Sequence, residues 1–192
     1  MYFTDSFNQM DDLLERICEK LQLSPTHHKS AEGKYNAVAK WLSRPESKLA
    51  GIKIDIYPQG SLRIGTTVRP LRHQEYDLDL VCELGIDWSR NCPVEVLKTV
   101  EVCLRENDTY RPMVEKKNRC VRLNYANEFH MDILPAAPNA VKNGGCVKVP
   151  DRKMEEWKES NPSGYAKWFE FRSEELRKLP CQVDSLKVEF PV

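Results

Sequence analysis

The sequence predicts an α+β domain: a mixed sheet with helices over its apolar face and polar side chains on the other. Three observations carry this. In the first 45 residues apolar side chains recur every three or four positions, the period of a helix. Residues 52–57, 76–83 and 120–134 instead alternate apolar with polar, the period of a half-buried strand. A helical stretch at 93–106 separates the strands, as in α+β domains.

The elements follow in order. Phe7, Met10, Leu14, Ile17 and Leu21 define the stripe of a first helix, with Asp5 or Ser6 as its cap. Ser24-Pro25-Thr26 breaks it and starts a second, where Ala31, Tyr35, Val38, Ala39 and Leu42 share a face; Pro45 ends that helix. Ile52, Ile54 and Ile56 then alternate with Lys53, Asp55 and Tyr57. Pro58-Gln59-Gly60-Ser61 stops the alternation and can open a short helix. Tyr76 to Glu83 reads as a strand with Leu78 and Leu80 on one face and Asp77 and Asp79 on the other. Residues 93–106 form a helix with Val94, Leu97, Val100 and Leu104 inward. Residues 120–125 and 129–134 form a hairpin around 126–128, and 135–145 a loop rich in Pro, Asn and Gly. Charged helical segments are expected at 152–159 and 165–178, separated by Asn161-Pro162-Ser163-Gly164. Three units result: 1–45, helices packing on the core; 46–150, the core itself; and 151–192, further helices.

Composition narrows the function. The chain has 192 residues, with 29 basic and 29 acidic side chains, so a zero formal charge argues against a generic polyanion binder. No apolar run reaches the roughly 18 residues of a membrane span. The acidic start lacks the basic and apolar parts of a signal peptide. Seven cysteines without C-x-x-C spacing read as reduced thiols of a cytoplasmic protein, with Cys18, Cys82 and Cys103 as core fillers. Trp41, Trp88, Trp157 and Trp168 read as packing or half-buried residues, with Tyr165 and Phe169 sharing a helix face.

The chemistry lies in an acidic constellation. Asp77 and Asp79 emerge side by side from one strand face, where like charges repel. Two readings stand: a solvated pair, or ligands of a hard cation such as Mg²⁺. Asp132 shifts the balance. In Phe129-His130-Met131-Asp132-Ile133 the apolar positions face inward, leaving His130 and Asp132 on the outer face. Three such carboxylates can hold two metal ions about 3.5–4 Å apart. His130 is not expected as a ligand, because such sites prefer oxygen.

An anion site accompanies them. Gly60 permits a sharp turn and close backbone approach, and the Ser61 hydroxyl with free N–H groups can hold phosphate oxygens. Between residues 48 and 72, Lys48, Lys53, Arg63, Arg69 and Arg72 face Asp55 alone, a local charge of +4. Lys53, Arg63 and Arg69 are phosphate-contact candidates by proximity in sequence. Arg122 alternates with Val121 and Leu123, and either faces the cleft beside Asp132 or lies on the surface.

At Gln59-Gly60-Ser61, Asp77-Leu78-Asp79 and Asp132 the chain resembles the nucleotidyltransferase superfamily. The longer phrases QGSLRIGTTVRP, EYDLDLVCEL, FHMDILPA and NPSGYAKWF resemble the bacterial cyclic-oligonucleotide synthases (CD-NTases) related to animal cyclic GMP-AMP synthase and oligoadenylate synthases. The resemblance spans roughly residues 30–175. It implies a polymerase-beta-like mixed-sheet catalytic lobe and a helical second lobe, with nucleotide between them. It implies that Gly60 and Ser61 contact the donor triphosphate, that Asp77 and Asp79 coordinate both metals, and that Asp132 completes the acceptor-side metal. The implied cofactor is a pair of Mg²⁺ ions, with Mn²⁺ as the alternative. The implied substrates are nucleoside triphosphates, ATP favoured. The implied product is a cyclic di- or trinucleotide messenger of antiphage defence, under a protein activator or regulator. Family members continue well past this length, so the second lobe is expected to be incomplete and cyclic synthesis by the chain weak. Two alternatives stand beside this reading: an RNA- or primer-directed nucleotidyltransferase, although the neutral charge predicts no strong nucleic-acid binding, and a catalytically inert lobe that binds nucleotide or a partner.

Overall fold

The computed structural model describes residues 2–69, 75–126, 128–142 and 144–178. Arg72 and Cys181 lie outside these residues. Helices α1 (Tyr2–Leu21) and α2 (Pro25–Leu42) lead into β1 (Ile54–Pro58) and the short α3 (Gly60–Ile64). Strand β2 (Tyr76–Leu84), helix α4 (Pro93–Arg105) and strands β3 (Val114–Lys116), β4 (Val121–Tyr125) and β5 (Phe129–Pro138) follow. The described chain closes with β6 (Val147–Asp151), β7 (Glu156–Ser160) and α5 (Pro162–Lys178).

The sheet runs β1-β2-β5-β4-β3, and β6 with β7 extends it from the far end of β5. Among the described strands only the central β2–β5 pair is parallel. Alternation along β2 and β5 sends Leu78, Leu80, Cys82, Phe129, Met131 and Ile133 to one face, where all are fully buried. Helix α4 packs there through Leu97, Val100 and Leu104, and α2 through Ala31, Val38 and Leu42, all without exposed surface. Ser24 caps α2 by accepting the His27 N–H at 3.3 Å, with Pro25 in the first turn. A smaller cluster of Val81, Ala136, Val147 and Val149 covers part of the other face. The rest of that face stays open, and the acidic residues lie in that open part.

Several expectations need correction. The segment expected as a helix at 152–159 is a turn followed by β7. Its charges suit an edge strand, where Glu159 pairs across with Lys148 at 3.2 Å. β6 is not legible in the sequence because Pro150, which has no N–H to give a ladder, interrupts its short alternation. β3 is only three residues long, and β5 continues to Pro138 through a stretch that reads as loop. Cys18 is exposed rather than core, whereas Cys82 and Cys103 are buried. All six described cysteines are free thiols. Trp168, Tyr165 and Phe171 are exposed on α5, whereas Phe169 is half-buried and Ala166 is buried. On α1, Met10, Leu13, Leu14 and Ile17 are exposed along one stripe. Among the described residues no helix is long and apolar enough to cross a membrane.

Candidate active site

The parallel register sets Asp79 directly opposite Asp132, and Asp77 opposite His130. Neighbouring strands lie about 4.8 Å apart, so Asp79 and Asp132 leave one face as immediate neighbours. The buried leucines and methionine between them leave the register no freedom, since a slip by one residue would exchange acid and core faces. The exposure of the acids is graded: the side chain of Asp77 is 62% exposed and that of Asp132 only 17%. Burial holds the Asp79 carboxyl above its ordinary range, and the neighbouring charges of Asp132 and then Asp77 push it the same way.

The turn after β1 delivers the second component. Pro58 pairs with Leu80, and the Gln59 N–H donates to Asp79 O at 2.9 Å. Gly60 therefore meets the Asp79 side chain, with φ of +60°. A Cβ built on Gly60 would lie 2.7 Å from Asp79 Oδ2, so any larger residue here would make that carboxylate move. Ser61 Oγ accepts a hydrogen bond from Thr67 Oγ1 at 3.0 Å, which leaves its own proton free to be donated. An open cleft of about 320 Å³ begins here, lined by Gln59, Gly60 and Arg63 on one side and Asn161, Pro162 and Tyr165 on the other.

Arg122 faces the acids. Its Nε and Nη2 donate to Asp132 Oδ1 and Oδ2 at 2.6 and 2.8 Å, and Nη2 lies 3.4 Å from Asp77 Oδ1. Of the two alternatives for this residue, it takes the position beside Asp132. The other basic candidates diverge. Arg63 borders the cleft and pairs with Glu170 of α5 at 2.5 Å. Lys53 sits beside Gly85, six residues along β2 from Asp79 or about 20 Å, and so is not brought to the acids. The Arg69 N–H donates to Leu21 O at the α1–α2 junction. His130 pairs through Nε2 with Glu75 at 3.0 Å.

Cys120 is a member of this surface that the sequence reading passed over. It shares the alternation of Arg122, which was the available signal. Burial, with the adjacent Asp132, pushes its thiol up to about 12, so it stays protonated as a hydrogen-bond donor towards that carboxylate.

The donor set fits a hard divalent cation: three carboxylates converge on one face, and a guanidinium stands in as their counter-charge. Among the described residues no three acidic, His or Cys side chains close up into metal-holding geometry. Like charges do not close up without a cation between them, and Arg122 fills that role here.

A mixed sheet carrying Asp-x-Asp on one strand and a third Asp on its parallel neighbour, beside a Gly-Ser turn, is the catalytic-lobe arrangement of a nucleotidyltransferase. The chain belongs to the family of Second Messenger Oligonucleotide or Dinucleotide Synthetase domains, whose model matches residues 9–172. A curated relative from Roseivirga ehrenbergii, named c-di-GMP synthase, is 40% identical over 161 residues, covering 84% of this chain and 43% of the relative. The solved structure of the Bradyrhizobium diazoefficiens CD-NTase CdnG in complex with GTP superposes with a TM-score of 0.71 at 32% identity, covering 83% of this chain and 46% of that one. The Vibrio cholerae DncV cyclic AMP-GMP synthase, with a TM-score of 0.62 at 16% identity over 84% of this chain and 59% of that one, shares the fold. The chain thus spans less than half the length of the first two.

Proposed function

We propose that the chain is the catalytic lobe of a metal-dependent cyclic dinucleotide synthase that joins guanine nucleotides. The observation that carries this is the register setting Asp79 against Asp132, with Asp77 on the same face and Gly60 packed on Asp79. The expectation of ATP gives way to GTP, because the 40%-identical relative is named for c-di-GMP and the CdnG structure was solved with GTP. The product acts as a second messenger in antiphage signalling, the role the family resemblance implies.

Asp77, Asp79 and Asp132 would hold two Mg²⁺ ions, or Mn²⁺ in their place. Bound there, the metals supply Lewis-acid stabilisation of an ionised hydroxyl and of the pyrophosphate leaving group. The protein's own groups do the rest. The Ser61 hydroxyl and the backbone at Gly60 hold the triphosphate, and Arg63 borders its path along the cleft. Asp132 takes the proton of the attacking ribose hydroxyl. A new phosphorus–oxygen bond forms at the α-phosphorus as the bond to the β-phosphate oxygen breaks, and a second such step closes the ring. Arg122, freed from Asp132 when that acid takes up its role, pairs with phosphate oxygens.

The test is product analysis. The protein is incubated with GTP, ATP or both, with Mg²⁺, treated with phosphatase and examined by mass spectrometry. Phosphatase-resistant cyclic di-GMP supports the proposal. GTP affinity that is the same with Mg²⁺ as with chelator, or addition of nucleotides to an RNA primer without cyclic product, overturns it.

A further inference from the structure

Arg122 reaches the acids from β4, where it is the register partner of Asp132. Its fork takes both Asp132 oxygens and extends to Asp77, so the guanidinium bridges carboxylates from two strands. The contact is largely withdrawn from water, with side-chain exposure of 20% for Arg122 and 17% for Asp132. Bidentate pairs of this kind are the strong members of their class. An arginine side chain stays charged throughout the working pH range, so it cannot relieve a competitor by becoming neutral.

The place between Asp132 and Asp77 is where a cation shared by the two acids would sit. A fixed positive charge there repels a divalent ion and also takes the lone pairs the ion needs. We infer that Arg122 is a resident cation that holds the carboxylates together in the metal-free protein, and that a divalent ion binds at Asp132 only by displacing it. This rests on the metal-site reading proposed above. Arg122 is in this sense a positioning residue: it sets when the site accepts metal, acting through Asp132.

Metal affinity without nucleotide is the direct readout. Mn²⁺ is titrated by electron paramagnetic resonance into the wild-type chain, Arg122→Gln and Asp132→Asn. Arg122→Gln should bind Mn²⁺ at least roughly tenfold more tightly than wild type, the scale expected when one unit charge is removed a few ångströms from a divalent ion in a partly wet site. It should also melt lower than wild type in chelator and gain more from added Mn²⁺. Equal or weaker Mn²⁺ binding by Arg122→Gln overturns the inference, since a purely supporting arginine would lower affinity when removed. Asp132→Asn keeps the two failures apart. If it binds Mn²⁺ as wild type does, the three-carboxylate metal site itself is wrong. If it loses Mn²⁺ while Arg122→Gln shows no gain, only the displacement is wrong. A second measurement needs no variant: the Arg122 Nε–H, held by Asp132 in the metal-free chain, should lose its protection from solvent exchange in nitrogen-15 spectra when Mg²⁺ saturates the site. Persistence of that protection at saturation overturns the inference.

Discussion

The two faces of the β2–β5 pair are built from alternate residues of the same two strands, yet they obey opposite rules. On one face Leu78, Leu80, Met131 and Ile133 are fully buried among the side chains of α2 and α4. On the other, Asp77, Asp79 and Asp132 share a face, and burial with mutual repulsion resists the ionisation of Asp79. The first face lowers the free energy of folding, and the second raises it unless a cation is near. Because a strand alternates strictly, the two cannot vary independently: the apolar packing fixes the register that holds the acids in place.

Separating the faces by mutation gives the largest effects. In the chain extended by the second lobe, Asp77→Asn combined with Asp79→Asn should reduce cyclic-product synthesis to background while leaving the melting temperature in chelator equal to wild type or higher, because repulsion is relieved. Mass spectrometry beside a thermal melt reads both; a folded double mutant with unchanged product would break the comparison. Leu78→Ala, between the same two aspartates, should do the reverse. Loss of a fully buried leucine should cost about 2–5 kcal/mol, a large part of a domain's typical total of about 5–15 kcal/mol, with binding failing only as the fold fails. Chemical denaturation with GTP binding measured alongside would show whether the two losses track each other.

The sequence exposes the first face almost completely and the second only in part. Alternation in Tyr76–Glu83 and Phe129–Leu134 is strict, so the inward leucines and outward acids could be assigned without coordinates. Pairing is another matter. Nothing in either segment says that the strands are parallel neighbours, and that long-range fact brings Asp79 to Asp132. Basic residues were harder still. Lys53 and Arg69 stand close to Gly60 in sequence but are carried to the far end of β2 and to the α1–α2 junction, whereas Arg122, 62 positions after Gly60, meets the acids. β7 was misread because its charged residues carry helical propensity, which pairing with β6 overrides. The exposed stripe of α1 shows the converse: helical periodicity identified the helix, but periodicity does not say what, if anything, the apolar side meets.

Two glycines sharpen the contrast on a smaller scale. Gly60 opens α3 and Gly65 follows its last residue, with φ of +60° and +72°. An alanine at either should cost about 1–2 kcal/mol for the left-handed backbone. Gly65 has nothing within 4 Å of the added Cβ, whereas at Gly60 that atom meets Asp79 Oδ2 at 2.7 Å. The carboxylate is the movable end of a side chain and can swing aside, so Gly60→Ala and Gly65→Ala should melt within a few degrees of each other. Their function should differ. A carboxylate displaced by about an ångström can lower turnover roughly a hundredfold, so in the chain extended by the second lobe Gly60→Ala should lose synthesis while Gly65→Ala keeps it. Equal activities at equal stability would show that Gly60 serves only the turn.

The smallest expected effect lies in pH. Asp79 has its carboxyl raised above the ordinary 3.8 in the folded chain. A group shifted this way favours the folded state fully below the unfolded value, and that contribution is lost as pH rises through the folded value. Asp79→Asn has no such loss. In chelator, the melting temperature of Asp79→Asn minus that of wild type should therefore be smallest below pH 3.8, grow through the range just above it, and then level off. Asp151 titrates with the opposite sign. The Arg119 guanidinium bonded to it at 2.8 Å leads in holding its carboxyl down to about 2, so its contribution is lost as pH falls from 3.8 towards that value. Asp151 is present in both proteins and cancels in the difference, which isolates the acid face. Saturating Mg²⁺ near neutral pH should invert the sign, since a ligand that binds only the folded state stabilises it by mass action and the asparagine variant lacks the ligand. A difference that ignores both pH and metal would mean that Asp79 is an ordinary solvated aspartate and that the two faces of the sheet differ only in polarity.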